Sequence, residues 1–493
     1  MLRLLPLAII ALAAGWLRTH DLAKRPMHAD EANQAVKLGE LLDAGRYAFD
    51  PRDHHGPTLY YAAVPVAWLR GERSLATLTE TTVRLVPAIF GTLTVLLVVA
   101  LASPLGRWPA LLAGALIAVS PPAVYYSRYF IQETLLGTFT LAAVLSARSW
   151  WRTGLTRWAV AGGACAGLMQ ATKASAPLFL AAGLFAWWIA RRARSPERKR
   201  LETAAASGSR SFLRGTGVAA LAALLTAALL YSSFGTHLAG LRDALTVYTN
   251  ALTRFGAAAA PTGHEKPWWY YLRILSWYRE GGLVWQQLAF SLFAVAGLGV
   301  AVVSRSPYLR GVAAYTAVIV GAFSFFAYKT PWHLVHFVPG MAILAAAALA
   351  TLARMKAGGV IATVLAMLVI ATLYHQTQRS SFLRPADQRN PYAYVHSAPD
   401  VLKVRDLALA AAARFPEKPI RVISEEYWPL PWYLRGLARV GYYAAPPDDC
   451  DGALVIASQL QAESVRAQLR GSYRESFLGL RPGFLCIVFT PEP

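Results

Sequence analysis

With 493 residues, 56% of them hydrophobic, the chain is richer in apolar side chains than a soluble globule of its length. Its formal net charge of +21, from 48 Lys plus Arg against 27 Asp plus Glu, does not mark a nucleic-acid partner, because the basic residues sit mainly in short gaps between long apolar runs. Three scattered cysteines, Cys165, Cys450 and Cys486, exclude a disulfide framework and a CxxC metal site.

A helix needs roughly 17 to 25 apolar residues to cross a bilayer. The chain offers about eleven such segments, at 2–17, 83–102, 109–126, 131–148, 158–174, 175–190, 215–234, 284–303, 311–328, 333–352 and 358–374. The first contains Ala11-Leu12-Ala13, which a signal peptidase accepts, but that point lies inside the apolar stretch. An uncleaved first helix also gives one topology for every later loop. With the N-terminus cytoplasmic, five gaps carry the basic residues: Arg107; Arg148, Arg152 and Arg157; the run Arg191 to Arg214; Arg305 and Arg310; Arg354 and Lys356. The loop 18–82, the turn at Arg128, the loop 235–283, the turn from Lys329 to Trp332 and the whole C-terminus then fall on the exported side.

The first exported loop is the most polar stretch. From Met27 to Pro57 it gathers His28, Asp30, Glu31, Asp50, Asp53, His54 and His55 in a chain otherwise poor in acids. After it, residues 58–69 are apolar but too short to span and contain Pro65, which predicts a segment along the membrane interface. From Gln376 onward the composition turns mixed. Helical patterns at 400–415 and 459–469 alternate with strand-like stretches at 420–424, 453–458 and 484–490. The predicted architecture is therefore mainly α, a polytopic membrane domain at 1–375 followed by a small exported α/β domain at 376–493. Cys450 and Cys486 both lie in the latter, where a bridge and two free thiols are both open.

Several side chains are candidates for chemistry. Asp30 is placed to act as a general base toward an attacking hydroxyl or amine, or to cap a helix running from Glu31. Arg128 and Glu133, five apart, read either as a phosphate fork with a positioning acid or as an interfacial ion pair. Lys173 and Lys329 sit at exported helix ends, where a lysine serves a donor phosphate or snorkels to headgroups. His54 and His55, with Asp53, complete a divalent cation site with Asp30 or His28, or simply hydrogen-bond the acceptor and fix the loop. His333 and His336 are three apart; His264, Trp268, Trp269, Tyr270 and Tyr271 form an aromatic belt, in which His264 and Trp268 are candidates for sugar contact.

The order of motifs carries a resemblance. An exported His28-Ala29-Asp30-Glu31-Ala32 is followed by Asp53-His54-His55-Gly56-Pro57-Thr58-Leu59-Tyr60-Tyr61 and by Arg84-Leu85-Val86-Pro87-Ala88. Then come Tyr126-Ser127-Arg128-Tyr129-Phe130-Ile131-Gln132-Glu133, Gly167-Leu168-Met169-Gln170-Ala171-Thr172-Lys173, Gly263-His264-Glu265-Lys266-Pro267-Trp268 and Lys329-Thr330-Pro331-Trp332. Over residues 1 to about 435 the chain resembles the GT-C glycosyltransferases, and more closely the protein mannosyltransferase and aminoarabinose transferase superfamily (glycosyltransferase family 39-like), with a prokaryotic flippase-activity-associated subgroup nearest. The resemblance implies a membrane enzyme of the bacterial plasma membrane. It would move a sugar from a polyprenyl-phosphate donor to a glycan, lipid or protein acceptor on the non-cytoplasmic face, with inversion. It assigns Asp30, with Glu31 and Glu133, to catalysis; Arg128, Lys173 and Lys329 to the donor phosphate; and His54, His55, His264, Trp268 and His333 to the acceptor, the sugar or the loop. The family shows no fixed metal signature, so a cation on Asp30, His28 and His54 remains an option. A flippase component for lipid-linked glycans and a non-catalytic scaffold are the alternatives, and the scarcity of charge at the bilayer midplane weighs against the first.

Overall fold

The structure, a computed structural model, describes residues 4–52, 55–192, 209–255 and 263–492. It divides into two compact units: Met1–His20 with Arg46–Ala62 and Arg84–Leu383, and Asp21–Gly45 with Ala63–Val83 and Arg384–Pro493. The second unit thus takes two pieces of the first exported loop along with the C-terminal region.

Helix occupies every one of the eleven apolar segments. Among the described residues, Glu80–Leu105, Leu213–Tyr231, Pro307–Phe325 and Gly358–Leu383 are long and apolar enough to cross a membrane. Leu5–Thr19, Thr58–Leu69, Arg107–Ala118, Leu288–Val303 and Val338–Ala353 are shorter apolar helices. The segment expected at 109–126 is interrupted: one helix stops at Ala118 and another begins at Pro121, a residue that tolerates only the first turn of a helix. The interfacial stretch 58–69 forms a helix with Pro65 inside it.

In the first unit, close helix contact is set by small residues. A Cβ added at Gly163 would meet the Ala219 carbonyl oxygen at 2.1 Å, and one at Gly167 would meet that of Ala223 at 2.4 Å. Glycines four apart therefore let the helices Thr156–Gln170 and Ser209–Tyr231 approach backbone to backbone, the small-residue packing expected where lipid removes the hydrophobic drive. The loop 235–283 holds an amphipathic helix, Ala239–Phe255, and leads into a hairpin of β1 (Trp277–Glu280) and β2 (Leu283–Gln286). Gly281 and Gly282 at its turn both take positive φ, as a two-residue hairpin turn requires.

The second unit is built on a sheet of β3 (Ile420–Ile423), β4 (Val440–Tyr443), β5 (Leu454–Ser458), β6 (Tyr473–Arg481) and β7 (Phe484–Pro491), in the order β4-β3-β5-β7-β6. β3 is parallel to both its neighbours, while β7 is antiparallel to β5 and β6. Ile423, Val455, Ala457, Val465, Ile487 and Phe489 form its apolar core. Sequence patterning finds β3, β5 and β7 and misses β4 and β6. Cys450 and Cys486 are both free and buried, so the bridge is not made. The register explains this: Cys486 pairs with Ser458 at the end of β5, whereas Cys450 precedes its first residue, Leu454. Four strand residues between those points span roughly 13 Å, well beyond disulfide reach.

Candidate functional site

In the first unit the candidate residues gather where three segments meet. Glu133 opens the helix Glu133–Thr153, where an acid suits the positive end of the helix dipole, and it is buried. Its carboxylate pairs with the amine of Lys173, just beyond the helix Thr156–Gln170. The first exported loop docks on the same spot. Gly56 N–H donates to the Thr172 carbonyl (3.1 Å), Thr58 N–H to that of Ala171 (3.1 Å), and His55 bridges to Lys173. Only glycine fits at position 56, since a Cβ there would lie 2.0 Å from the Ala171 oxygen. The backbones of His55 and Lys173, distant in sequence, are thus paired, with the Lys173 amine on Glu133.

Behind this pair lie imidazoles. A Cβ on Gly137, one turn along from Glu133, would stand 3.6 Å from His336 Nδ1. The His336 ring meets that of Phe179 at 4.6 Å, tilted by 53°, and His333 Nδ1 lies 2.9 Å from the hydroxyl of Tyr271. Both histidines are buried. Tyr271, which the sequence shows only as part of an aromatic belt, is the missed partner here.

The other two proposed phosphate ligands have firm backbone partners. Arg128 donates to the carbonyls of Leu17 (3.2 Å), Arg18 (3.4 Å) and His20, and its guanidinium lies 4.5 Å over the Phe382 ring. It thereby closes the C-terminal end of the helix Leu5–Thr19, whose last carbonyls have no partner within the helix. Lys329 is only 1% exposed, and its amine donates to the carbonyls of Lys266 (3.1 Å) and Phe326. Burial lowers its pKa from the usual lysine range. Its N–H reaches the His264 carbonyl at 3.0 Å, so the His264 and Lys329 motifs form one structure, while Trp268 is largely exposed.

The second unit holds Asp30 and Glu31, and it separates their roles. The helix Ala29–Ala44 is capped by His28 rather than by Asp30. His28 Nδ1 accepts the Asp30 N–H at 3.0 Å, and its Nε2 lies 3.1 Å from the Tyr394 carbonyl. The proton therefore sits on Nε2, and the 3.8 Å approach of Nδ1 to the Asp30 carboxylate is not an ion pair. Glu31 is fully buried. It accepts the His28 N–H (3.2 Å) in a capping box and receives Arg25 Nη2 on both oxygens, at 3.1 and 3.0 Å. The Asp30 carboxylate, by contrast, is 51% exposed. His396, also buried, meets the His28 ring edge-on at 5.7 Å. Its pKa is held well below the imidazole range, first by burial and then by the Arg25 guanidinium. Arg25 and His396 are neighbours of Glu31 and His28 that no sequence signal exposes.

Among the described residues no group of three or more His, Cys, Asp or Glu is arranged to hold a metal ion. Both ring nitrogens of His28 are engaged as above, which removes it as a ligand in this arrangement; Asp53 and His54 lie outside the described residues.

The fold is similar to that of solved structures of sugar-transferring enzymes. Two solved structures of ArnT from Cupriavidus metallidurans, one apo and one bound to undecaprenyl phosphate, superpose with a TM-score of 0.64 at 14% and 13% identity, each covering 98% of this chain and 97% of that one. AglB, the oligosaccharyltransferase of Archaeoglobus fulgidus, solved with an inhibitory peptide and a dolichol-phosphate, superposes with a TM-score of 0.58 at 14% identity, covering 97% of this chain and 73% of its own. More particularly, residues 64–207 match the dolichyl-phosphate-mannose-protein mannosyltransferase family. That stretch includes Arg128, Glu133 and Lys173 but not Asp30. No curated protein is significantly similar in sequence.

Proposed function

We propose that the protein transfers a sugar from a polyprenyl-phosphate donor to an acceptor hydroxyl or amine on the non-cytoplasmic face of a bacterial plasma membrane. Asp30 is the general base. It takes the acceptor proton as the acceptor oxygen or nitrogen bonds to the anomeric carbon, and the bond from that carbon to the phosphate oxygen breaks, releasing polyprenyl phosphate. A single displacement inverts the anomeric centre. Lys173, Lys329 and Arg128 supply positive charge for the departing phosphate, and Glu133 holds the Lys173 amine in place by pairing with it. His55, His264, Trp268 and His333 orient the loop and the sugar. Solved relatives of the same fold, one bound to undecaprenyl phosphate and one to dolichol-phosphate, support a lipid-phosphate donor.

The observation that carries this reading is the unequal treatment of the two adjacent acids. Glu31 is consumed by Arg25 and a backbone N–H, whereas Asp30 is left half exposed with no Lys or Arg paired to it among the described residues. A base must reach an acceptor, and only Asp30 is open to one. Purified protein incubated with a radiolabelled polyprenyl-phosphate sugar and a cell-envelope extract should form labelled product, and Asp30→Asn should abolish it while insertion and thermal stability stay unchanged. Full turnover by Asp30→Asn, or movement of the lipid across the bilayer without bond formation, would overturn the proposal.

A further inference from the structure

Far along the same helices from Glu133 and Lys173, the first unit carries a second concentration of cations. At 1.5 Å per residue the helix Glu133–Thr153 rises about 28 Å from Glu133 to Arg152, and the helix Ala176–Arg192 rises about 22 Å to Arg191, close to the thickness of a bilayer core. There the Arg191 guanidinium lies 4.7 Å over the Trp187 ring and 5.6 Å over that of Trp151. These two indoles, from different helices, meet edge to face at 5.7 Å. Arg192 lies 3.8 Å over Trp188. Both arginines are exposed, and neither pairs with a carboxylate among the described residues. On the same helix, further from this end, Leu180, Leu184 and Phe185 are exposed, an apolar strip that only lipid would cover.

We propose that this cluster is a binding site for one anionic phospholipid, its headgroup phosphate held by Arg191 and Arg192 and an acyl chain lying along Leu180, Leu184 and Trp188. A guanidinium stacked on a ring has its face occupied and its N–H edge turned outward. It is thereby pre-set for two-point contact with phosphate oxygens. Diffuse basic charge at a membrane surface needs no such stacking, and the paired indoles beneath Arg191 are what distinguish a built site from a charged rim. The site is separate from sugar transfer and stands whether or not that reading does.

The test titrates the purified full chain in detergent with phosphatidylglycerol or phosphatidylcholine and counts bound lipid by native mass spectrometry. Two basic side chains at about 1 kcal/mol each predict a preference for phosphatidylglycerol of about 30-fold. The exposed pair R191Q/R192Q should bind the two lipids equally. Trp187→Leu keeps every charge, removes the nearer of the two rings under Arg191, and should weaken phosphatidylglycerol binding about 2- to 5-fold. Equal binding of both lipids by the unaltered protein, a preference surviving R191Q/R192Q, or full affinity in W187L would each overturn the proposal, the last by reducing the cluster to surface charge. Unchanged melting temperatures in all variants separate these outcomes from misfolding.

Discussion

Replacing Glu31 by Gln tests the division between the two adjacent acids more severely than replacing Asp30. The Glu31 carboxylate is fully buried and takes both contacts of Arg25 Nη2, and Arg25 is itself buried at 7% exposure. Gln keeps an oxygen for the His28 N–H but removes the negative charge, leaving the guanidinium buried and uncompensated. Breaking one side of such a pair costs about 3–5 kcal/mol, since desolvation of the survivor is no longer offset. For a cooperative unit of this size that corresponds to a fall in Tm of roughly 6–20 °C. Asp30→Asn alters a half-exposed carboxylate with no ion pair and should change stability by less than about 0.5 kcal/mol. Thermal unfolding of the second unit, followed beside transfer per folded molecule, should therefore show opposite patterns: D30N stable and inactive, E31Q unstable but active where folded. The double variant R25M/E31L removes both charges and should recover most of the lost stability. If E31Q is as stable as the unaltered protein, or D30N melts as early as E31Q, the assignment of a structural role to Glu31 and a chemical one to Asp30 is wrong.

Other perturbations read other parts of the structure. Lys173→Met strands the buried Glu133 carboxylate and should destabilise the first unit by about 3–5 kcal/mol; adding Glu133→Leu should restore the fold in a melting assay but not transfer. Gly56→Ala places a methyl 2.0 Å from the Ala171 oxygen and should detach the segment from His55 to Thr58, raising its hydrogen exchange and lowering transfer without unfolding the helices. His396 gives a pH signature. Its pKa in the fold lies below the unfolded value near 6.5, so the folded state disfavours the proton; its contribution is fully present above that pH and is lost as pH falls toward the folded value. Stability of the second unit should fall by up to about 1.4 kcal/mol per pH unit below 6.5, and His396→Phe should flatten that slope. An unchanged slope in H396F would exclude His396 as its source.

What was legible in the sequence follows from range. Apolar runs and basic gaps are local, so all eleven apolar segments prove to contain helix, and the strands β3, β5 and β7 are legible as short apolar stretches beside turn signals, whereas the amphipathic helix Ala239–Phe255 and the β1–β2 hairpin inside the loop 235–283 are not. β4 and β6 were missed because their burial is only partial: Val440 to Tyr443 is half-buried throughout, and β6 alternates irregularly. The site residues divide the same way. Asp30, Glu31, Glu133 and Lys173 stand out as charges near apolar segments, but what each charge does depends on a partner the sequence does not announce. Arg25 is six positions from Glu31 with no helical or strand spacing to link them, Tyr394 and His396 come from the far end of the chain, and Lys173 meets Glu133 forty residues away. Chemical type alone made Asp30 and Glu31 near equals. Burial makes them unlike, because a carboxylate that has exchanged water for Arg25 and a backbone N–H holds up a helix terminus, and only the one that keeps its water is free to exchange it for an acceptor.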